Sequence, residues 1–272
     1  MTGGKCAVFL DIDGTLSWES LPPCQQDIDA LRRVRRAGHY VLINTGRGRG
    51  FLPGPLVGVD YLDGYLFGCG TQLILGERVI FTGEVDRAFL RRVIRFHLER
   101  PDRWCLFEGE KSLYTLNPKR MLEWPRVTKE DDFETVYADE HITKVTIMGH
   151  GQADAEEHAL FDGTLELVEQ TKSDWYEAIL PGNGKGRGLR RTCEYLGIPI
   201  ENSIAVGDSE NDLDMFASAG VAVAMQDSSR AALDAARYVT GRCGEGGVAM
   251  AVNALLFGEG VLRDAAGHGC KA

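Results

Sequence analysis

Apolar residues arrive along this chain in two forms, short unbroken runs and helical stripes, and the two forms alternate. Ala7–Leu10 (AVFL) is an unbroken run that stops at Asp11. A run of that length predicts a strand covered on both faces. Ile28, Leu31 and Val34 then recur at helical spacing, and Gly38 is a stop signal. Tyr40-Val-Leu-Ile43 is a second buried run, ending in Asn44-Thr45-Gly46. Strand, helix and strand joined by short links predict a βαβ unit and a parallel sheet. Over residues 64–81 the pattern predicts a strand and then a hairpin, Leu73–Leu75 and Val79–Phe81, with Gly76 in the turn.

Further on the pattern changes. Val85, Phe89, Val93 and Phe96 mark an amphipathic helix, and Trp104–Phe107 and Leu113–Leu116 are expected to pair as strands. Ile142–Met148 alternates, Ala153–Phe161 has helical spacing, and Leu165–Val168 and Trp175–Leu180 are strand-like. This grouping predicts a separate α+β unit. From Leu189 the first pattern resumes. A helix is expected to about Leu196, a strand at Ile204–Val206, a helix at Leu213–Ala217 and a strand at Val221–Ala224. A helix at Arg230–Ala236 and a short strand at Tyr238–Thr240 follow, and the tail after Phe257 is expected to be loosely ordered. The fold class is therefore α/β: a Rossmann-like parallel core from residues 1–82 and 181–272, split by an inserted α+β domain at 83–180.

Composition narrows the function. At 272 residues the chain suits one large or two smaller domains. Its net charge of −10 argues against a nucleic-acid partner, which calls for a basic face. Residues 83–175 hold 20 of the 40 acidic and 13 of the 30 basic side chains, an excess that fits a solvated acidic surface. The N-terminal apolar run is too short for a signal-peptide core, and no stretch approaches a membrane span. The seven cysteines are odd in number and none is spaced C-x-x-C, so reduced thiols and a cytoplasmic location are expected. The six histidines form no H-E-x-x-H pattern.

In a parallel α/β sheet, ligands bind beyond the carboxyl ends of the strands. Four polar clusters are expected there: Asp11-Ile-Asp-Gly-Thr15, Thr45-Gly-Arg47, Gly207-Asp-Ser-Glu-Asn-Asp212, and the glycine-flanked Lys185 that opens a helix. Asp11, Asp13, Asp208 and Asp212 offer hard oxygen ligands that suit Mg²⁺. Gathered carboxylates repel one another unless a cation sits among them. Thr45, the backbone N–H groups around Gly46, and Lys185 offer donors and positive charge for a phosphate. Metal, carboxylate nucleophile and phosphate clamp together describe phosphoryl transfer through an aspartyl-phosphate. Taken singly, Asp13-Gly14 is a common turn pair and Lys185 among glycines is a solvated loop. Their joint occurrence at successive strand ends carries the chemical reading.

These residues resemble the haloacid dehalogenase superfamily of Mg²⁺-dependent phosphotransferases. DIDGTL (Asp11–Leu16) resembles its first motif, INTGR (Ile43–Arg47) the second, GKGRGL (Gly184–Leu189) the lysine motif and GDSENDLDM (Gly207–Met215) the fourth. The long fourth motif, AGVAVAM and EGGVAMAV resemble the Cof-type branch, and the resemblance spans about residues 7–255. The insertion falls where that branch carries a type IIB cap. The resemblance implies that Asp11 is the nucleophile and a Mg²⁺ ligand. It implies that Asp13 is the general acid/base and lends its backbone carbonyl to the metal. Asp208 would be the third protein ligand with Asp212 in support. Thr45, Lys185 and Asn211 would hold the phosphate, and Gly46 would let the backbone approach. One departure stands out: the branch usually has Gly-Asn-Ala after Ala-Met, where this chain has Gln226-Asp227-Ser228.

The reaction expected is hydrolysis of a small phosphorylated metabolite. A sugar phosphomutase shares the nucleophile, Asp13 and a type IIB cap, and a silent phosphate-binding regulator would keep the fold without turnover. Nucleotide-binding motifs fail by count. The P-loop would need glycine at Ile179 and Ser or Thr at Gly186. The dinucleotide pattern would need glycine at Phe51 or Leu189. Trp104, Tyr114, Lys119, Arg120 and Trp124 are the insertion's candidates for touching the substrate.

Overall fold

The computed structural model of the protein describes residues 4–120, 123–169, 174–264 and 269–270. The chain folds as two compact units, one of Met1–Gly46, Leu52–Ile80 and Gly184–Ala272, the other of Arg47–Phe51 and Phe81–Asn183.

The first unit opens with β1 (Ala7–Leu10), α1 (Gln25–Arg36), β2 (Tyr40–Asn44), β3 (Gly64–Phe67), β4 (Gln72–Leu75) and the start of β5 (Arg78–Thr82), whose last two residues fall in the second unit. The second contains α2 (Arg87–Leu98), β6 (Trp104–Gly109), β7 (Leu113–Leu116), α3 (Asp132–Thr135), β8 (Ile142–Met148), α4 (Ala155–Phe161), β9 (Glu166–Glu169) and β10 (Trp175–Ile179). The chain then returns with α5 (Lys185–Leu196), β11 (Ser203–Gly207), α6 (Leu213–Ser218), β12 (Val221–Ala224), α7 (Arg230–Ala235), β13 (Tyr238–Val239), α8 (Gly247–Phe257), β14 (Leu262–Asp264) and β15 (Gly269–Cys270).

The first unit is built on one sheet in the order β15-β14-β13-β12-β11-β1-β2-β3-β4-β5. Pairing is parallel from β13 through β3 and antiparallel for β13–β14, β14–β15 and β3–β4. Every residue of β1 and β12 is buried, which is why both read as unbroken apolar runs. The apolar core on one face joins Val8, Leu10, Val41, Ile43, Ile204 and Val206 to the inner sides of α1 and α8. Asp27 fastens the two helices together. Its buried carboxylate accepts the Ala249 amide in the first turn of α8 at 2.7 Å.

The second unit has its own sheet, β7-β6-β8-β10-β9, antiparallel throughout. One face packs Cys105, Phe107, Val145, Ile147, Tyr176 and Ala178 under α2 and α4. The alternation of β8 predicts a wet opposite face, yet Lys144 and Thr146 are buried too. Lys144 lies 3.0 Å from Glu108 and pairs closely with Glu177. Glu108 also accepts Thr146 Oγ1 at 2.7 Å and the Gly48 amide at 2.8 Å. A strand can therefore alternate in polarity and still be covered, provided its polar side chains satisfy one another.

Two expectations need correction. The buried stripe of α2 is Phe89, Leu90, Val93, Ile94 and His97, so Phe96 lies off that face, beneath the Arg100 guanidinium. Residues 247–257, to which the pattern assigns no element, form a helix. Finally, the segment after Phe257 is not loose: Gly258 caps α8 in the left-handed region and Leu262–Asp264 pairs antiparallel with β13. The rest of that expectation, at 265–268 and 271–272, lies outside the described residues.

Candidate active site

The register of the parallel strands builds the site. Leu10 pairs with Ile43 on one side and Val206 on the other. The next residues, Asp11, Asn44 and Gly207, therefore come level at one edge, and the Asp11 amide bonds to the Val206 carbonyl at 3.0 Å. The connection after β1 runs to β2 on one side and that after β11 runs to β12 on the other, the place where an open α/β sheet forms a crevice.

Lys185 stands at the start of α5 and is 1% exposed. Its ammonium reaches Asp11 Oδ1 at 2.6 Å, Asp212 Oδ1 at 2.7 Å and Asn211 Oδ1 at 2.9 Å. An ammonium has three N–H donors, so all are engaged by the protein. A buried cation of this kind costs several kcal/mol to desolvate and persists only because carboxylates face it. Burial acts to lower the Lys185 pKa, and Asp11 and Asp212 outweigh it and hold it above the ordinary lysine value.

The alternate glycines before and after the lysine have a geometric cause. A Cβ on Gly184 would sit 2.3 Å from Asp214 Oδ2, and one on Gly186 would sit 2.2 Å from the Asp214 carbonyl oxygen. On Gly188 it would meet Gly70 Cα at 2.7 Å. The first turn of α5 thus lies backbone-close to α6 on one side and to the 68–71 turn on the other. The Gly186 amide donates to Asp214 Oδ2 at 2.8 Å, which anchors that turn.

Around Lys185 the carboxylates crowd. Asp11, Asp208 and Asp212 each offer an oxygen, and these oxygens lie within 4.8 Å of one another. Burial lifts the Asp11 carboxyl to about 6, with Lys185 opposing and Asp212 adding to the rise. Burial, then Asp11 and Asp212, lift Asp208 to about 7. One ammonium cannot neutralise three desolvated carboxylates, and the oxygen-only donor set fits a hard divalent cation. Asp212 is already committed: its Oδ2 accepts the amides of Asp208 at 2.9 Å and Ser209 at 3.2 Å, while Oδ1 takes Lys185. Asp11 and Asp208 are the freer pair for a cation.

The remaining expected residues fall nearby or farther out. Asp13 is exposed on a tight turn closed by Gly14 N to Ser17 O at 3.0 Å and Ser17 N to Ile12 O at 2.8 Å. Thr45 is buried, and its amide bonds to Leu66 O at 3.0 Å. A Cβ on Gly46 would meet only Cys69 Sγ at 3.5 Å, so the protein itself leaves room there. Tyr114 is packed in the second unit's apolar core with its hydroxyl on Glu140 at 2.8 Å. Trp104 is buried with Arg120 over its ring, and Trp124 meets Phe51 edge-on. Asp227, the departure noted above, is exposed and lies 3.4 Å from Arg242.

The profile of the haloacid dehalogenase-like hydrolases matches residues 8–252, nearly the whole chain. The protein belongs to that family. Among its curated relatives, a phosphoglycolate phosphatase of Methanothermobacter thermautotrophicus is 26% identical, over 92% of this chain and 98% of its own length. The 5-amino-6-(5-phospho-D-ribitylamino)uracil phosphatase YitU of Bacillus subtilis is 26% identical, over 89% and 94% respectively. A chloroplastic endoribonuclease of Arabidopsis thaliana is 24% identical over 92% of this chain, which spans about half of that longer protein, 46%. Among solved structures, a subclass IIB sugar phosphatase of the superfamily has a TM-score of 0.74 at 24% identity, with 92% of this chain and 98% of that one covered. A phosphatase from Bacteroides thetaiotaomicron has a TM-score of 0.76 at 23% identity, with 93% and 96% covered. These likenesses fix the fold of a Cof-type hydrolase.

Two further residues shape the site of this hydrolase. Gly14 has φ +82°, and a Cβ there would lie 2.5 Å from Asp208 Oδ2. Only glycine lets the turn after Asp13 pass so close to that carboxylate. The signal was present in the Asp-Gly pair, but a turn pair does not say what it passes. Asp214 falls within the predicted helix at Leu213–Ala217, and its anchoring of the Gly186 amide joins residues 28 apart in the chain, which no local pattern reveals.

Proposed function

We propose that this hydrolase is a Mg²⁺-dependent phosphatase that cleaves a small phosphorylated metabolite, a sugar phosphate or similar phosphomonoester, through an aspartyl-phosphate. The observation that carries the reading is Lys185 in contact with Asp11 and Asp212 while Asp208 lies alongside, all beyond the ends of parallel strands. Asp11, the Asp13 backbone carbonyl and Asp208 are the proposed cation ligands, with Asp212 in support. The cation, when bound, offsets the clustered negative charge and makes the phosphoryl group more electrophilic.

Asp11 attacks phosphorus with a carboxylate oxygen, and the ester P–O bond breaks. Its carboxyl, at about 6, is mostly ionised at neutral pH, and burial leaves it poorly solvated and hence a better nucleophile. Asp13, exposed on its turn, gives its proton to the leaving alkoxide. It then takes a proton from the water that attacks the aspartyl-phosphate, and inorganic phosphate leaves with Asp11 restored. Thr45, the Gly46 amide and Asn211 hold the phosphoryl oxygens. Lys185 joins them by exchanging one of its three protein acceptors for a phosphoryl oxygen. The 83–180 insertion serves as the enzyme's cap, and the enzyme works in the cytoplasm.

The test is phosphate release across a panel of phosphorylated metabolites, with Mg²⁺ and with chelator, for the wild type and Asp11→Asn. Release only by the wild type, and only with Mg²⁺, is expected. Hydrolysis that survives the chelator or the substitution removes the mechanism. Interconversion of hexose 1- and 6-phosphates that depends on a bisphosphate identifies a mutase instead. Phosphate binding without turnover of any substrate identifies a regulator.

A further inference from the structure

We infer that Asn44 is a positioning residue for Lys185, and so for the phosphoryl-transfer site; the inference rests on the function proposed above. Asn44 ends β2, directly before Thr45, and is wholly buried. The rest of the strand, Tyr-Val-Leu-Ile, is apolar or amphipathic, so a carboxamide is the one strongly polar side chain it buries. The Nδ2 group donates to the backbone carbonyl of Lys185 at 2.9 Å and lies 3.3 Å from the Met215 sulfur. The Oδ1 atom has no hydrogen-bond partner.

A buried acceptor left unmade is destabilising, so this amide is a poor choice for stability. What it does is local. Lys185 is the first residue of α5, and two side chains hold its backbone in place. Asn44 takes the Lys185 carbonyl, and Asp214 takes the next amide, Gly186 N, at 2.8 Å. A lysine stem has four rotatable bonds, and where its ammonium rests depends on where its root is fixed. Asn44 fixes that root relative to the end of β2, and the following residue is Thr45. One side chain thereby sets the Lys185 ammonium against both Asp11 and the proposed phosphate loop. Met215, under the same amide, belongs to α6, so the carboxamide sits where β2, α5 and α6 meet.

Asn44→Leu keeps the branched four-atom shape, somewhat enlarged, and removes the donor together with the orphaned oxygen; Asn44→Ala is the second variant, and Val34→Ala is a core reference remote from the site. Both Asn44 variants are assayed with Mg²⁺ on p-nitrophenyl phosphate, with inhibition by inorganic phosphate and thermal midpoint measured on the same preparations. A misplaced catalytic group costs between about tenfold and a hundredfold in rate. The expected result is a loss in kcat of at least about tenfold and weaker phosphate inhibition, while Asn44→Leu melts at or above the wild-type temperature. Val34→Ala should melt lower with kcat unchanged. If kcat and phosphate inhibition in folded Asn44→Leu and Asn44→Ala stay within about twofold of wild type, the inference is wrong. It is equally wrong if either variant loses activity only in step with its folded fraction, or if neither folds, because Asn44 would then serve the fold. Asp11→Asn run in parallel separates the two levels. Activity that survives that substitution removes the proposed function, whereas its loss beside unaffected Asn44 variants removes only this inference.

Discussion

Replacing Asp208 by asparagine should make the metal-free protein more stable while removing its response to Mg²⁺. Asp208 is lifted to about 7 by burial and by the charges of Asp11 and Asp212. An aspartate in the unfolded chain titrates near about 3.9. Between those values the folded state binds more protons than the unfolded state, so stability falls as pH rises from about 4 to about 7. That interval is worth about 4 kcal/mol for this one group. Asp11, lifted to about 6, acts in the same direction over a narrower window. In chelator at pH 8 the wild type therefore carries this penalty, and Asp208→Asn does not. The amide keeps an oxygen for Thr15 Oγ1, which donates to Asp208 Oδ1 at 3.3 Å, so the local packing survives.

The assay is thermal unfolding from pH 5 to pH 8, in chelator and in Mg²⁺. A kcal/mol moves the midpoint of a chain this size by about 2–4 °C, so Asp208→Asn should melt on the order of 10 °C above wild type at pH 8 in chelator. The gap between the two curves should narrow as pH falls, to roughly a third of its pH 8 size at pH 5, because the unfolded carboxyl stays ionised until about pH 4. Mg²⁺ at 100 times its dissociation constant adds about 2.7 kcal/mol to the wild type, and the gain should shrink at low pH because binding requires deprotonated ligands. An Asp208→Asn protein less stable than wild type at pH 8 without metal would refute the reasoning. So would a wild-type midpoint that ignores Mg²⁺.

Gly14→Ala should cost about 1–3 kcal/mol from its φ of +82° alone and lower Mg²⁺-dependent turnover by displacing Asp208, which denaturant melts and steady-state kinetics would show. Gly186→Ala drives a methyl to within 2.2 Å of the Asp214 carbonyl oxygen and should cost about 1–3 kcal/mol, whereas Gly54→Ala, with open space around it, should fall within about 0.5 kcal/mol of wild type in the same urea titration. Lys144→Met strands the Glu108 and Glu177 carboxylates, and of these Glu108 is 2% exposed; the second unit should lose about 3–5 kcal/mol, read from unit-resolved hydrogen exchange.

The parallel core was legible because its strands are buried on both faces, so that AVFL and YVLI could be nothing wet. The candidate site was legible for a related reason: polar residues within two positions after such a run have to lie at the sheet's edge, and three runs place Asp11, Thr45 and Asp208 there. Illegible features share a different cause, in that each depends on a partner distant along the chain. Helix α8 is apolar almost all round, so it shows no stripe, and it is recognisable only once α1 and the sheet cover it. The polar face of β8 is buried because Glu108, Glu177 and the Gly48 amide satisfy it, and no window of residues around 144 contains any of them. The glycines of PGNGKGRGL follow the same logic. Their alternation looks like a cradle for a ligand, but Gly184, Gly186 and Gly188 are set by Asp214 and Gly70, which lie on other elements. Close backbone approach brings Lys185 under the strand ends, and the lysine then finds acceptors on two further segments. A glycine pattern therefore records how near two backbones run. Whether that nearness serves packing or a ligand is decided by the one charged side chain it carries inward, and here that side chain ends on Asp11.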